Sequence, residues 1–361
     1  MKKAIGLVVI FLIFIVSCVD VKKETSAENK TLKPAFKYWT WYGAGQDVAD
    51  SIHINQFKKF AKHGIDAVLI DTRADAKYLA KIAPFAIKEG LEVHAWMFTM
   101  NRPGDEVALQ HPDWYMVSRS GKSCFDDRPY VDYYQWLSPS HPEARQHIWG
   151  LVENLAKVDG ITSVHLDYIR YPDVYLPIGL LPKYNLVQNE ELPDYDFDYS
   201  DAAVEKFKKL HGKNIKEIAV PAIDIEWKQF RLNEIKAVVD GAYKIAHKHG
   251  KKLTAAVFPY PEMADHMVRQ RWDKWNIDVV LPMVYNNFYN EGLDWVKFAS
   301  EQGIRDLKNK KTELHTGLYI PEMTPEELAK AIKVVKESGA AGVSFFDIKE
   351  KHYQIIKATK E

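Results

Sequence analysis

From about residue 36 onward, short runs rich in β-branched and aromatic residues alternate with longer stretches in which apolar side chains recur every three to four positions. The short runs suit strands buried on both faces, and the longer ones suit helices that lay one face on a core. Eight strand-like runs stand out, at 37–42, 67–71, 91–98, 163–167, 253–258, 279–285, 314–320 and 342–347. Amphipathic stretches lie between them, among them 55–63, 77–88, 142–158, 225–249 and 325–338. Several carry end signals: Asp224 can cap the helix that Gly250 stops, and Thr324-Pro325-Glu326-Glu327 is a capped start with Pro in the first turn.

Strand following helix in regular alternation predicts parallel strands joined by crossover helices. Eight such units in roughly 325 residues fit the α/β class and a closed (β/α)8 TIM barrel, with an open doubly wound sheet as the alternative. The glycine-rich phosphate turn that marks a dinucleotide fold is missing. Two connections are enlarged, 101–140 after the third strand and 172–200 after the fourth. Both belong on the face where barrel loops build sites.

The first residues predict an exported, anchored protein. Lys2 and Lys3 precede an unbroken apolar run over 4–16, which ends in Ser17-Cys18. A run this short, with a charged head and a small-residue exit, reads as a cleaved export signal, and a Cys at the exit is where bacterial lipoproteins are acylated. An uncleaved anchor helix is the alternative, and either places the folded part outside the cytoplasm. The expected organisation is a signal at 1–18 ending in lipidated Cys18, a polar tether at 19–35, and a barrel at 36–361 in the bacterial cell envelope, periplasmic or at the cell surface. With Cys18 acylated, Cys124 is the other cysteine and has no partner for an intrachain disulfide. Basic and acidic side chains balance at 49 each. No basic stripe is present, which argues against nucleic acid as a partner.

Polar residues concentrate at the ends of the expected strands, and these carry the candidate chemistry. In Val164-His165-Leu166-Asp167, strand alternation sends His165 and Asp167 into the barrel and the apolar pair toward the helices. Arg170 follows, placed to steady a carboxylate or to fork onto hydroxyls; an internal Asp167–Arg170 ion pair is the plain alternative. Asp71 and Arg73 end the second strand, His94 and Trp96 lie on the third, and Asp347 ends the eighth. Trp41, Trp96, Trp114, Tyr285 and Tyr319 add flat apolar surface suited to stacking on pyranose rings, or simply to the core. After the fifth strand, Pro259 and Pro261 are expected to hold the chain extended and to keep Glu262 off a helix, facing Asp167. Two carboxyl groups across a barrel mouth are what glycosidic cleavage needs, one to protonate the leaving oxygen and one to attack or to activate water.

Other chemistries find less support. Asp194, Asp196 and Asp198, with Glu205, imitate a calcium loop, but Tyr199 stands where the sharp turn needs Gly. No His or Cys cluster has zinc spacing and no Gly-x-Ser-x-Gly elbow occurs, so neither metal nor cofactor is expected.

A series of blocks resembles the glycosyl-hydrolase-like family 10 barrels of exported bacterial proteins. The blocks are His94-Ala95-Trp96, Tyr134-Gln135-Trp136-Leu137-Ser138-Pro139, Pro142-Glu143-Ala144-Arg145, Asp159-Gly160-Ile161 with His165-Leu166-Asp167-Tyr168, Trp227-Lys228-Gln229-Phe230-Arg231, Gln270-Arg271-Trp272-Asp273-Lys274-Trp275 and Pro282-Met283-Val284-Tyr285. Two positions depart from the family's pattern: Thr162-Ser163 interrupts the fourth-strand block, and Arg271 stands where an acid would precede Trp272. The resemblance implies a barrel acting on glycosidic bonds, with Asp167 matched to the strand-four Asp. The resulting expectation is a glycoside hydrolase for a poly- or oligosaccharide, with Asp167 and Glu262 catalytic and Asp71 and Asp347 as substitutes. Trp41, Arg73, His94, Trp96, His165, Arg170, Tyr285, Asn286 and Tyr319 would bind the sugar. A barrel that only binds glycan, and a polysaccharide lyase or deacetylase, are the rival expectations.

Overall fold

The computed structural model describes residues 35–361; the expected signal, Cys18 and the tether up to residue 34 lie outside them. Among the described residues, eight strands close into one barrel in which each pairs in parallel with its sequence neighbour, and the eighth returns to the first. They are β1 (Lys37–Tyr42), β2 (Ala67–Asp71), β3 (Glu92–Phe98), β4 (Ser163–Asp167), β5 (Lys252–Val257), β6 (Val279–Pro282), β7 (Glu313–Tyr319) and β8 (Gly342–Phe346). Closure rules out the open sheet. The sixth strand stops three residues short of its expected end: beyond Pro282 only single bonds to its neighbours remain, Met283 N to the Val257 carbonyl and Val284 N to the Gly317 carbonyl, and the chain tightens into a turn in which Val284 N also donates to the Pro282 carbonyl.

The helices among the described residues are α1 (Asp50–Lys62), α2 (Ala76–Lys88), α3 (Pro142–Ala156), α4 (Leu181–Tyr184), α5 (Asp201–His211), α6 (Ile225–Lys248), α7 (Pro261–Val268), α8 (Leu293–Asp306), α9 (Pro325–Ser338) and α10 (Tyr353–Lys360). The expected caps form: the Asp224 carboxylate accepts from Trp227 N at 2.8 Å, and Thr324 with Glu327 makes a reciprocal capping box. Gly241 is required by packing. A Cβ there would come within 2.2 Å of the Trp149 ring, so its absence lets α3 lie against α6.

Strand alternation divides the apolar residues into two layers. Outward residues such as Val68, Ile70, Val93, Leu166 and Val343 meet the helices in the larger core. Inward residues Trp39, Trp41, Leu69, Trp96 and Leu281 fill the barrel. A buried polar thread runs among them. Trp41 Nε1 donates to His165 Nε2 at 3.3 Å, and His165 Nδ1 meets Thr254 Oγ1 at 2.8 Å. Thr254 contacts Ser163 at 3.3 Å, and Ser163 contacts His94 Nδ1 at 2.7 Å. An indole N–H can only donate, so His165 carries its proton on Nδ1. Below, the Trp39 ring lies between His94 and His315 at centroid distances of 4.1 and 4.2 Å.

The two enlarged connections pack on each other through the Ser118–Phe197 bridge and are tied down by buried ions. Arg231 of α6 is fully buried and donates to Asp196 at 2.5 Å and to the Phe197 carbonyl at 2.6 Å. Arg119 and the Tyr199 hydroxyl also reach Asp196, at 3.3 and 2.8 Å, while Arg269 pairs with Glu191 at 2.5 Å. The three aspartates of the calcium-like stretch are thus engaged by protein donors, Asp194 by Lys122, Asp196 by Arg231, and Asp198 by Ser138 and Ser200, while Glu205 is exposed on α5.

Two stability predictions follow from this burial. Removing the Asp196 carboxylate leaves Arg231 charged in a dry site, so Asp196→Ala is expected to cost about 3–5 kcal/mol in urea unfolding; a loss under 1 kcal/mol would mean that the pair does not anchor the insertions. Burial holds His94, His165 and His315 below the ordinary imidazole range, His165 at about 3. Their folded-state pKa values are depressed, so the unfolded chain binds more protons below pH 6.5, and the stability present above that pH is lost as pH falls. For His165 alone the loss reaches about 2 kcal/mol by pH 5, and His165→Asn should flatten the fall measured by thermal melts.

Candidate active site

The sequence His165-Leu166-Asp167-Tyr168 places Asp167 as the last inward residue of β4, one strand pair above His165 and so about 7 Å nearer the mouth. Its half-buried carboxyl opens into a cavity of about 250 Å3 whose walls include Trp41, Trp96, Phe98, Tyr285, Tyr319 and Phe346. Two donors hold it. Trp96 Nε1 lies 3.0 Å from Oδ2, and the Tyr168 amide lies 2.7 Å from Oδ1. Tyr168 itself adopts a left-handed conformation at φ +50°, an uncommon one for a tyrosine, directly after the strand.

Desolvation acts first on this carboxyl and raises its pKa to about 6, although the Tyr168 amide, the Arg170 charge and the Trp96 N–H all pull it down. The Asp71 charge raises it as well, which puts Asp71 near enough to be felt. Asp71 ends β2 beside the Trp96 ring and accepts from Arg73 N at 3.1 Å and Arg73 Nε at 3.2 Å. Burial and the Asp167 charge raise the Tyr285 phenol far above its usual range, so its hydroxyl stays a donor.

Trp41, Trp96, Asp167, Arg170, Tyr285 and Tyr319 therefore share one cavity. The other expected residues do not line it. His94 and His165 are fully inside the barrel, one or more layers beneath the mouth, and act on its floor: His165 fixes the Trp41 indole, and His94 ends the polar thread. Arg73 is an exposed partner of Asp71. Glu262 is a correction to the expected extended loop: Pro261 starts α7 rather than preventing it, since Pro is well accommodated in a first helical turn, and Glu262 points to solvent. Asp347 is likewise exposed, paired with Lys349 at 2.6 Å. Asn286 bonds the Glu291 carbonyl at 2.8 Å and faces a separate cavity on the far side of Tyr319. Trp114 stacks on His111 at 4.2 Å and does not line the Asp167 cavity. The alternative of an Asp167–Arg170 ion pair is not met, because Arg170 pairs with Asp173 at 3.1 Å.

Several wall residues were not anticipated. Phe98 and Phe346 follow from strand alternation, two positions beyond Trp96 and Ser344. Tyr168, Met283 and Phe288 depend on turns after the strands and had no periodic signal. A second cavity of about 330 Å3 opens beside the first, lined by Tyr130, Tyr133, Tyr134 and Tyr184 from the enlarged connections and by Tyr289. Among the described residues, no group of three or more His, Cys, Asp or Glu is arranged to hold a metal ion.

A family model described as glycosyl hydrolase-like 10 matches residues 59–331. No curated protein sequence matches the chain. Among solved structures, the glycoside hydrolase domain of PgaB (BpsB) from Bordetella bronchiseptica superposes with a TM-score of 0.66 at 13% identity, covering 91% of this chain and 98% of that one. The catalytic domain of the beta-amylase from Paenibacillus polymyxa gives a TM-score of 0.58 at 11% identity, covering 86% of this chain and 92% of that one. At such identities the likeness concerns the fold.

The balance of forces on Asp167 can be tested from both sides. Trp96→Phe removes a donor to the carboxylate and is expected to raise its midpoint above about 6 in a carboxyl 13C NMR titration, whereas Asp71→Asn should lower it. Shifts in the same direction would refute this arrangement.

Proposed function

The chain belongs to the glycosyl hydrolase-like 10 family, and from that premise we propose that it hydrolyses glycosidic bonds of a poly- or oligosaccharide lying across the barrel mouth. The observation that supports this most is a carboxyl with a pKa near 6, held by two fixed donors at the floor of an aromatic cavity. Such a group is protonated often enough near neutrality to give a proton to a leaving oxygen, and rigid enough to do so without reorganisation.

In this reading Asp167 protonates the glycosidic oxygen as the bond to the anomeric carbon breaks. Water then adds to that carbon and loses a proton to a second carboxylate. Asp71 is the best second group, because it stands on the same rim and its charge reaches Asp167. Trp41, Trp96 and Tyr319 offer faces for the sugar ring, and the neutral Tyr285 hydroxyl offers a hydrogen bond to it. A barrel that binds glycan without turnover is the second reading, favoured by one observation: Asp71 is already engaged by Arg73, leaving Asp167 as the one unpaired carboxylate on the cavity wall.

The same proposal places the barrel, residues 36–361, in the cell envelope, carried by a cleaved signal over 1–18, lipid on Cys18 and the tether 19–35. Its support is the Lys2-Lys3 head, the apolar run over 4–16 and the cysteine at its exit.

For Asp167→Asn, hydrolysis measured as new reducing ends across a panel of bacterial, algal and plant glycans should fall about 100-fold to 10,000-fold. If Asp167 is the acid, kcat/KM of the parent protein declines as pH rises through about 6. A variant that folds and retains the parent rate removes Asp167 from the reaction, and saturable binding without any reducing ends selects the second reading.

A further inference from the structure

We propose that the tyrosine-lined cavity beside Asp167 is a second sugar subsite, and that the sugar unit it takes carries no charge. The proposal rests on the reading of the Asp167 cavity as a glycan site. Continuity comes first: Tyr168, Arg170, Met283, Tyr285 and Phe288 line both cavities, so one ligand can occupy both. The new cavity lies on the side of the enlarged connections, which supply Tyr130, Tyr133, Tyr134 and Tyr184.

The side chains present point to the ligand's chemistry. Burial raises the phenols of Tyr130, Tyr134 and Tyr289, so they remain neutral. The Tyr130 and Tyr134 hydroxyls are spent on Asp173 and those residues offer flat ring faces, while Tyr289 brings a hydroxyl as well, which together suit the face and the hydroxyls of a pyranose. Two buried ions line the cavity, and they satisfy each other: Arg170 reaches Asp173 at 3.1 Å, and Tyr134 donates to the same carboxylate oxygen at 3.2 Å. The Arg170 guanidinium also lies 5.0 Å from the ring centres of Trp136 and Phe258 and 5.2 Å from that of Tyr168. Lys183, at the rim, sits over Tyr184 at 5.4 Å. A uronate or a free amino sugar entering this cavity would leave water and find no unpaired counter-ion in its interior, whereas a neutral sugar loses little and gains the ring faces. The substrate class is therefore a neutral glycan of at least three units, two flanking the reacting bond at Asp167 and the next lying in the tyrosine-lined cavity toward the enlarged connections.

Binding to the Asp167→Asn protein, measured by calorimetry, tests this independently of turnover. The probes are neutral oligosaccharides of two to six units in glucose, mannose, xylose and N-acetylglucosamine series, with a de-N-acetylated glucosamine hexamer and a galacturonate hexamer as charged counterparts. At least one neutral series is expected to bind tenfold or more tightly as four units replace two, with a Kd insensitive to salt. Tyr133→Ala and Tyr184→Ala, at accessible positions, should abolish that gain while leaving the two-unit Kd unchanged. Tighter binding of a charged hexamer than of every neutral one, a length gain that survives both variants, or no neutral binder in the panel would overturn the proposal. Absence of any length gain with all the tyrosines in place, in a protein that still needs Asp167 for hydrolysis, would sink this inference alone. Unaltered hydrolysis by Asp167→Asn would sink the catalytic reading alone.

Discussion

The closed ring of eight hydrogen-bonded strands is the constraint from which the site follows. Closure forces every second residue of each strand into a lumen that side chains fill, so inward polar groups are cut off from water and bond one another where their geometry allows. The thread from Trp41 through His165, Thr254 and Ser163 to His94 is made of such bonds. Only the last inward residue of a strand escapes the rule, because above it the lumen opens. Asp167 occupies such a position on β4, and Asp71 occupies one on β2.

At Asp167 two opposing effects set the chemistry. Enclosure by Trp41, Trp96, Phe346 and their neighbours disfavours the charged form, while the Trp96 and Tyr168 N–H groups favour it. Neither wins outright, and the carboxyl is left near pH 6. The same indole that supplies a wall thus supplies a donor. Trp41 is fixed in turn by His165, which is kept neutral by burial and so presents an acceptor to the indole N–H. The floor of the cavity is therefore held by the core beneath it rather than by the loops above.

The enlarged connections do a different task with different means. They supply tyrosines to the second cavity and buried acids to guanidinium partners on the barrel scaffold, Asp196 to Arg231 and Glu191 to Arg269. A loop of this length costs conformational entropy to order, and the buried ion pairs with the Ser118–Phe197 bridge are the contacts that offset it. Aromatic cavity and ionic anchor are two faces of one folded insertion.

The fold was legible in the residues because strand and helix periods are local and recur eight times; 37–42, 67–71, 163–167 and the start at Pro325 could be read directly. The family was legible too, since its blocks are short and ordered, and so was the inward direction of Asp167. Other features depend on how distant segments meet. Glu262 could be read as a loop acid or a helix start, because proline permits either, and the first turn of α7 settled it toward solvent. His94 belongs beneath the mouth and not in it because depth in a barrel depends on register with neighbouring strands, which no single strand encodes. The pairing of Arg170 with Asp173, and the gathering of five tyrosines from two insertions and the β6 turn, likewise arise from packing across the chain. Alternation along a strand fixes which way a side chain points; closure of the ring and docking of its loops fix what it meets, because those contacts join residues that share no local period.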